Sequence, residues 1–143
     1  MVLMGYQLSA EEKRDVKSKI INNLREEDKV SFAYLYGSFL KDRFNDIDIA
    51  VYLKEGMSEK DILEFELNKG VELSKELGFE VDVRVLNGKK IVFLHQVLRN
   101  GKLIFCRDEG KRVEFETEVY NNYLDIKYYL DQYNEIRRKR ILA

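Results

Sequence analysis

The chain has 143 residues, enough to bury about two thirds of the surface its unfolded form would expose and to fold as one domain without staples. Its 25 basic and 26 acidic residues leave a formal net charge of -1, so no overall field draws it to long nucleic acid or to an anionic membrane. A single cysteine, Cys106 in the run LIFC, excludes an internal disulfide and any multi-cysteine metal cluster, and fits a small buried apolar residue in a reducing cytoplasm.

The start, MVLMGYQLSAEEKR, has too short an apolar stretch for a signal peptide, and nowhere do roughly 18 apolar residues run together; a cytoplasmic protein off the membrane is expected. Ser9 followed by Glu12 is a capping-box pattern that opens a helix to about Arg25, with Val16, Ile20, Ile21 and Leu24 inward. A strand over 30–36 (VSFAYLY) leads to Gly37-Ser38, then a loop or short helical turn over 39–45, then a strand over about 46–53. Ser58 caps a helix of roughly 59–77, whose inward stripe is drawn from Ile62, Leu63, Phe65, Leu67, Val71, Leu73 and Leu77, and Gly78 stops it. A strand over 80–86, a helix over about 90–99 ending at Asn100-Gly101, and a short strand over 102–107 complete a core of about 9–107. This alternation predicts an α/β (α+β) fold, a small mixed sheet flanked by helices. From 111 to 140 no Gly or Pro interrupts the chain, which predicts one long C-terminal helix. Phe115, Val119, Ile126, Tyr129, Tyr133 and Ile136 recur at spacings of four and three, with Asn122 the polar member, and Tyr120, Tyr123, Leu124 and Leu130 flank them. Tyrosine favours interfaces, so this helix is a candidate contact with a partner or with a second copy.

The chemistry concentrates in VSFAYLYGSFLKDRFNDIDIAVYL, residues 30–53. Side chains in a strand alternate faces, so Asp46 and Asp48 point to one side and Ile47 and Ile49 to the other. Two carboxylates on a core strand repel, and burying them is costly unless a cation lies between them. Hard oxygen donors suit Mg2+, and Gly37-Ser38 supplies a closely approachable backbone, free N–H groups and a hydroxyl for a phosphate. Lys41 and Arg43 are further candidate phosphate contacts. In EVDVRVL, Asp82 and Arg84 share one face, and Asp82 is the acidic residue best placed to join the pair. The sole histidine, His95, lies beside Phe93, Leu94 and Val97 and reads as structural, while the basic run Arg137–Arg140 reads as a solvated helix end that opposes the macrodipole.

Gly-Ser followed by Asp-x-Asp between hydrophobic strands resembles the signature of the DNA polymerase beta-like nucleotidyltransferases. The resemblance implies two Mg2+ ions held by Asp46, Asp48 and a third carboxylate, here Asp82, with the triphosphate at Gly37 and Ser38. Asp42 stands where relatives commonly carry Gly, and Asn45 where Ser is usual. No room remains for an added substrate domain, and VDVRVLN, VLRNGKLIFCRDE and RVEFETEVYNNYLDIKYYLDQY are similar to the Mnt-type antitoxins of two-gene toxin-antitoxin systems. That likeness implies an enzyme that transfers AMP from ATP to a tyrosine hydroxyl of a HEPN-domain ribonuclease toxin and so neutralises it. Two other classes compete: a binding module that covers its toxin without catalysis, and a transferase acting on a small molecule such as an aminoglycoside. Three retained carboxylates favour an enzyme over a relic, and the lack of a sugar-binding domain disfavours the small molecule.

Overall fold

The computed structural model describes residues 5–142, so expectations that fall on residues 1–4 lie outside it. The chain alternates α1 (Ala10–Arg25), β1 (Val30–Tyr36), a 3-10 turn (Gly37–Leu40), β2 (Ile47–Leu53), α2 (Glu59–Leu77), β3 (Val81–Val85), α3 (Ile91–Asn100), β4 (Lys102–Cys106) and α4 (Glu109–Leu142). The four strands form one mixed sheet in the order β3-β2-β1-β4, with β2 and β3 parallel and the other pairs antiparallel.

Local chemistry sets the helix ends. The Ser9 hydroxyl accepts the Glu12 N–H while the Glu12 carboxylate accepts the Ser9 N–H, both at 3.1 Å, and Ser58 and Asp61 repeat the arrangement at α2. Gly78 ends α2 at φ +77, a left-handed conformation that favours glycine. Gly101 ends α3 differently: its backbone is extended, and a Cβ there would lie 2.5 Å from the Val97 carbonyl and 2.9 Å from that of Leu35. Close packing of α3 on β1 therefore requires this glycine. The long helix starts two residues before the expected position, because the Asp108 carboxylate accepts the Lys111 N–H at 3.0 Å and takes Gly110 into the first turn.

One sheet face carries Ala33, Leu35, Ile47, Ile49, Val51 and Val83, covered by Val16, Ile20 and Leu24 of α1 and by Phe65 and Leu73 of α2. Only part of the expected α2 stripe turns inward: Leu63, Leu67 and Val71 are exposed, and Lys69 and Gly70 are buried in their stead. Lys69 keeps its ammonium paired with Glu72 at 2.6 Å, Glu27 at 3.1 Å and Asn23 at 3.1 Å, so its stem packs while its charge is satisfied. The opposite face carries Phe32, Tyr34 and Ala50 beneath Leu94 and Val97 of α3 and Phe115 and Val119 of α4. The Tyr34 hydroxyl donates to Glu116 at 2.6 Å and fastens the first turns of α4 to β1. His95 stacks on Tyr123 with ring centroids 3.4 Å apart, joining α3 to α4 in the structural role expected of it. Among the described residues no helix is long and apolar enough to cross a membrane.

Candidate functional site

The second face is only partly roofed, and its open end collects the acidic side chains. Parallel pairing of β2 with β3 sets Asp48 beside Asp82, and antiparallel pairing with β1 sets Tyr36 opposite Asp48. Asp46 lies one residue ahead of β2, half-buried. The same strand period that buries Ile47 and Ile49 completely leaves Asp48 half-buried. Gly37 follows β1 at φ +78, and a Cβ on it would lie 2.2 Å from an Asp48 carboxylate oxygen. The glycine is thus required twice, by its backbone conformation and by the carboxylate pressed against it.

Electrostatics bears the mark of this crowding. Burial, and then the charges of Asp46 and Asp82, push the Asp48 carboxyl from 3.8 up to about 6, with Arg84 opposing. The Tyr36 hydroxyl is pushed up by burial and by the negative charges of Asp48 and Asp82. Arg84 Nε donates to Asp82 Oδ2 at 3.2 Å, one cation already beside the acidic cluster. As the side chains stand, no three His, Cys, Asp or Glu among the described residues converge into a closed metal cage. Their chemistry nonetheless fits a hard divalent cation, since oxygen donors sit on adjacent strands and a cation there would offset the burial and the like charges that hold the Asp48 carboxyl up.

Beyond Gly37 the loop is braced from several sides. The Ser38 hydroxyl donates to the Asp46 carbonyl and accepts the Asn45 N–H, both at a long 3.4 Å, contacts weak enough to exchange for a ligand. Phe39 and Phe44 are buried edge to face with centroids 4.8 Å apart, while Tyr6 pairs with Phe44 through two backbone hydrogen bonds. Lys13 of α1 donates to the carbonyls of Phe39, at 2.8 Å, and Lys41, with its ammonium over the Phe39 ring. Asp42 and Arg43 are exposed in this loop. A groove of about 590 Å³ runs from the turn to α3, lined by Tyr36, Gly37, Ser38, Leu40 and Lys41 on one side and Phe93, Gln96, Val97 and Asn100 on the other. Clefts of about 530 and 740 Å³ occur elsewhere, so what distinguishes this one is not size but the Gly37-Ser38 turn in its wall, whose glycine abuts Asp48.

The sequence sets Arg84 on the Asp82 face but marks neither it nor Lys13 nor Tyr36 as part of the site. Tyr36 was within reach as the residue before Gly37, whereas Lys13 meets the loop only through the tertiary fold and carries no local signal.

Comparison with known proteins bears on the same segment. The family described as Polymerase beta, Nucleotidyltransferase matches residues 18–110. No curated protein matches the chain by sequence. Among solved structures, a chain from the complex of a tri-AMPylated Shewanella oneidensis HEPN toxin with an MNT antitoxin superposes with a TM-score of 0.65 at 23% identity, covering 92% of this chain and 99% of that one. A chain of a toxin-antitoxin structure with AMP-PNP gives 0.64 at 23% identity over 89% and 98%, and one of the toxin-antitoxin MntA-HepT gives 0.64 at 22% over 91% and 99%. At these identities the likeness establishes the fold.

Proposed function

Because the chain belongs to the Polymerase beta nucleotidyltransferase family, we propose that it is a Mg-dependent transferase that moves AMP from ATP to a tyrosine hydroxyl of a HEPN-domain toxin, and so acts as an antitoxin in the cytoplasm. The observation that carries this reading is the pairing of Asp48 with Asp82 directly against a glycine turn that tolerates no side chain. The fold shared with a chain from a complex containing an AMPylated HEPN toxin supports a HEPN protein as the acceptor.

In this proposal Asp46, Asp48 and Asp82 would hold two Mg2+ ions, which when bound offset the triphosphate charge and polarise the α-phosphate. Gly37 lets the phosphates approach its backbone, and Ser38 exchanges its long contacts for a phosphate oxygen. Lys41 lines the groove and lends it positive charge, with Arg43 beyond it on the loop. Tyr36 and Phe93 offer aromatic surface to the nucleoside. The acceptor oxygen forms a bond to the α-phosphorus, the bond from that phosphorus to the bridging oxygen breaks, and pyrophosphate leaves. Asp82 takes the hydroxyl proton, which a tyrosine of pKa near 10 retains at neutral pH.

Incubation with a purified HEPN toxin, Mg2+ and ATP, followed by intact-mass spectrometry, tests the reading. Mass gains on the toxin in AMP units, absent with Asp48→Asn, are expected. A toxin that is neutralised but gains no mass would instead favour neutralisation by binding alone, a second reading supported by the exposed tyrosines and leucines of distal α4.

A further inference from the structure

Beyond Val119 the long helix leaves the sheet, and none of its residues from 127 to 142 is even half-buried. These 16 residues, about four and a half turns of helix, are marginal on their own in water. Yet the pattern that docks α4 continues outward: Phe115 and Val119 are followed at steps of three and four by Asn122, Ile126, Tyr129, Tyr133, Ile136 and Arg140. A repeat of 3.5 residues keeps such a stripe on one side of a helix only when it winds on another helix.

We propose that the occupant of this stripe is a second copy of the chain, paired antiparallel about residue 131. In that register Ile126 faces Ile136 of the second copy, Tyr129 faces Tyr133, and Asn122 faces the Arg140 stem at each end. The flanking positions agree. Asp125 meets Lys139 of the second copy, and Leu130 meets its own counterpart on the twofold axis, where an exposed leucine gains an apolar partner. Parallel pairing in register fails on the same sequence: it sets Asn122 against Asn122, matches no acidic flanking residue with a basic one, and aligns both Arg137–Arg140 runs and both macrodipoles. Charge complementarity therefore selects the antiparallel pair. This inference is independent of the proposed chemistry, since it involves none of the residues at the carboxylate site.

The test uses the whole chain with Cys106→Ser, so that an added cysteine is the only thiol. Leu130→Cys at micromolar concentration should give a covalent dimer with a short bis-maleimide, whereas Lys127→Cys, on the outer face of the pair, should not. Asp125→Lys should weaken the dimer roughly tenfold in sedimentation equilibrium, since two attractive contacts become repulsive, and Asp125→Lys with Lys139→Asp should restore it. A chain that stays monomeric up to about 100 µM, where micromolar self-association would be saturated, overturns the proposal. So does a dimer that links through residue 127, or one indifferent to the charge reversal. If a HEPN toxin protects the thiol of the Leu130→Cys variant in an otherwise monomeric chain, the stripe belongs to that toxin, and self-pairing is equally overturned.

Discussion

The two faces of the sheet are built from alternate residues of the same strands and serve opposite ends. On the α1/α2 face, Leu35, Ile47, Ile49, Val51 and Val85 are wholly buried, and each contributes on the order of 1.5–3 kcal/mol by leaving water. On the other face, the one-residue step from Ile49 to Asp48 changes a core contact into a half-buried carboxylate whose neighbours Asp46 and Asp82 repel it. The first face is apolar throughout, whereas the second combines a roofed apolar part, with Phe32 and Leu86 wholly buried, and an open end that holds charges opposing folding. A sheet with a rigid back tolerates an electrostatically unfavourable front, and that front is where a charged ligand gains most.

The largest contrast comes from substituting neighbours in β2. Asp48→Asn should lower AMP transfer by at least about 10²–10³-fold, the loss typical of removing one preorganised electrostatic group, while the protein melts no lower than wild type. Ile49→Ala should cost about 2–5 kcal/mol in urea denaturation and, at temperatures where the variant remains folded, leave transfer near the wild-type rate. Full activity in folded Asp48→Asn would remove the site from this face.

Gly37 joins the two faces at the end of β1, and its replacement should rank next. Gly37→Val puts a branched side chain where a Cβ alone would lie 2.2 Å from Asp48, and forces φ +78 on a β-branched residue. Titration calorimetry with Mg-ATP should show binding lost, whereas Ser38→Ala, which removes one hydroxyl with long contacts, should weaken it by only about 0.5–1.5 kcal/mol. Equal ATP affinity in Gly37→Val and wild type would contradict the role given to the turn.

How far these faces were legible follows from the range of each signal. The capping boxes at Ser9 and Ser58, the stop at Gly78 and the period-2 runs of β2 and β3 are written within a few residues and needed no tertiary information. Asp46, Asp48, Gly37 and Ser38 stood out because their spacing is local, and Asp82 because alternation in β3 is strong. In α2 the seven apolar residues contain the inward stripe without marking which of them belong to it: hydrophobicity alone cannot tell Leu67, exposed, from Lys69, buried through three polar partners on other turns and on α1 and its loop. Gly101 showed itself as a helix stop, but its reason is contact with Leu35, 66 positions away in the chain. Lys13 was invisible on the same ground, since its carbonyl partners lie 26 and 28 residues on.

That brace supplies a smaller test. Lys13→Met keeps the stem over Phe39 but removes two hydrogen bonds from the loop backbone, so the Michaelis constant for ATP should rise roughly tenfold with kcat little changed, as befits a positioning residue. A fall in kcat alone, with the constant for ATP unmoved, would refute the loop's part in binding the nucleotide.

The smallest expected effect is on stability against pH, and its sign is specific. Asp48 has its carboxyl raised from 3.8 to about 6 in the folded chain, so between these values the folded state holds a proton that the unfolded state has lost. Stability must therefore fall as pH rises from about 4 to about 6, and this contribution levels off above that, opposite to the usual behaviour of a salt-bridged carboxylate. Because the side chain is partly solvated, the effect is modest and lies over the titration of the other acids, so the readout is a difference between proteins. Urea midpoints of wild type and Asp48→Asn should diverge across this window without added metal, with the variant progressively the more stable. Mg2+ and ATP together should narrow the gap by supplying the wild-type carboxylate with its missing positive charge. Parallel midpoint curves for the two proteins would show that the crowding of Asp46, Asp48 and Asp82 costs the fold nothing, and the opposition between the two faces would lose its energetic basis.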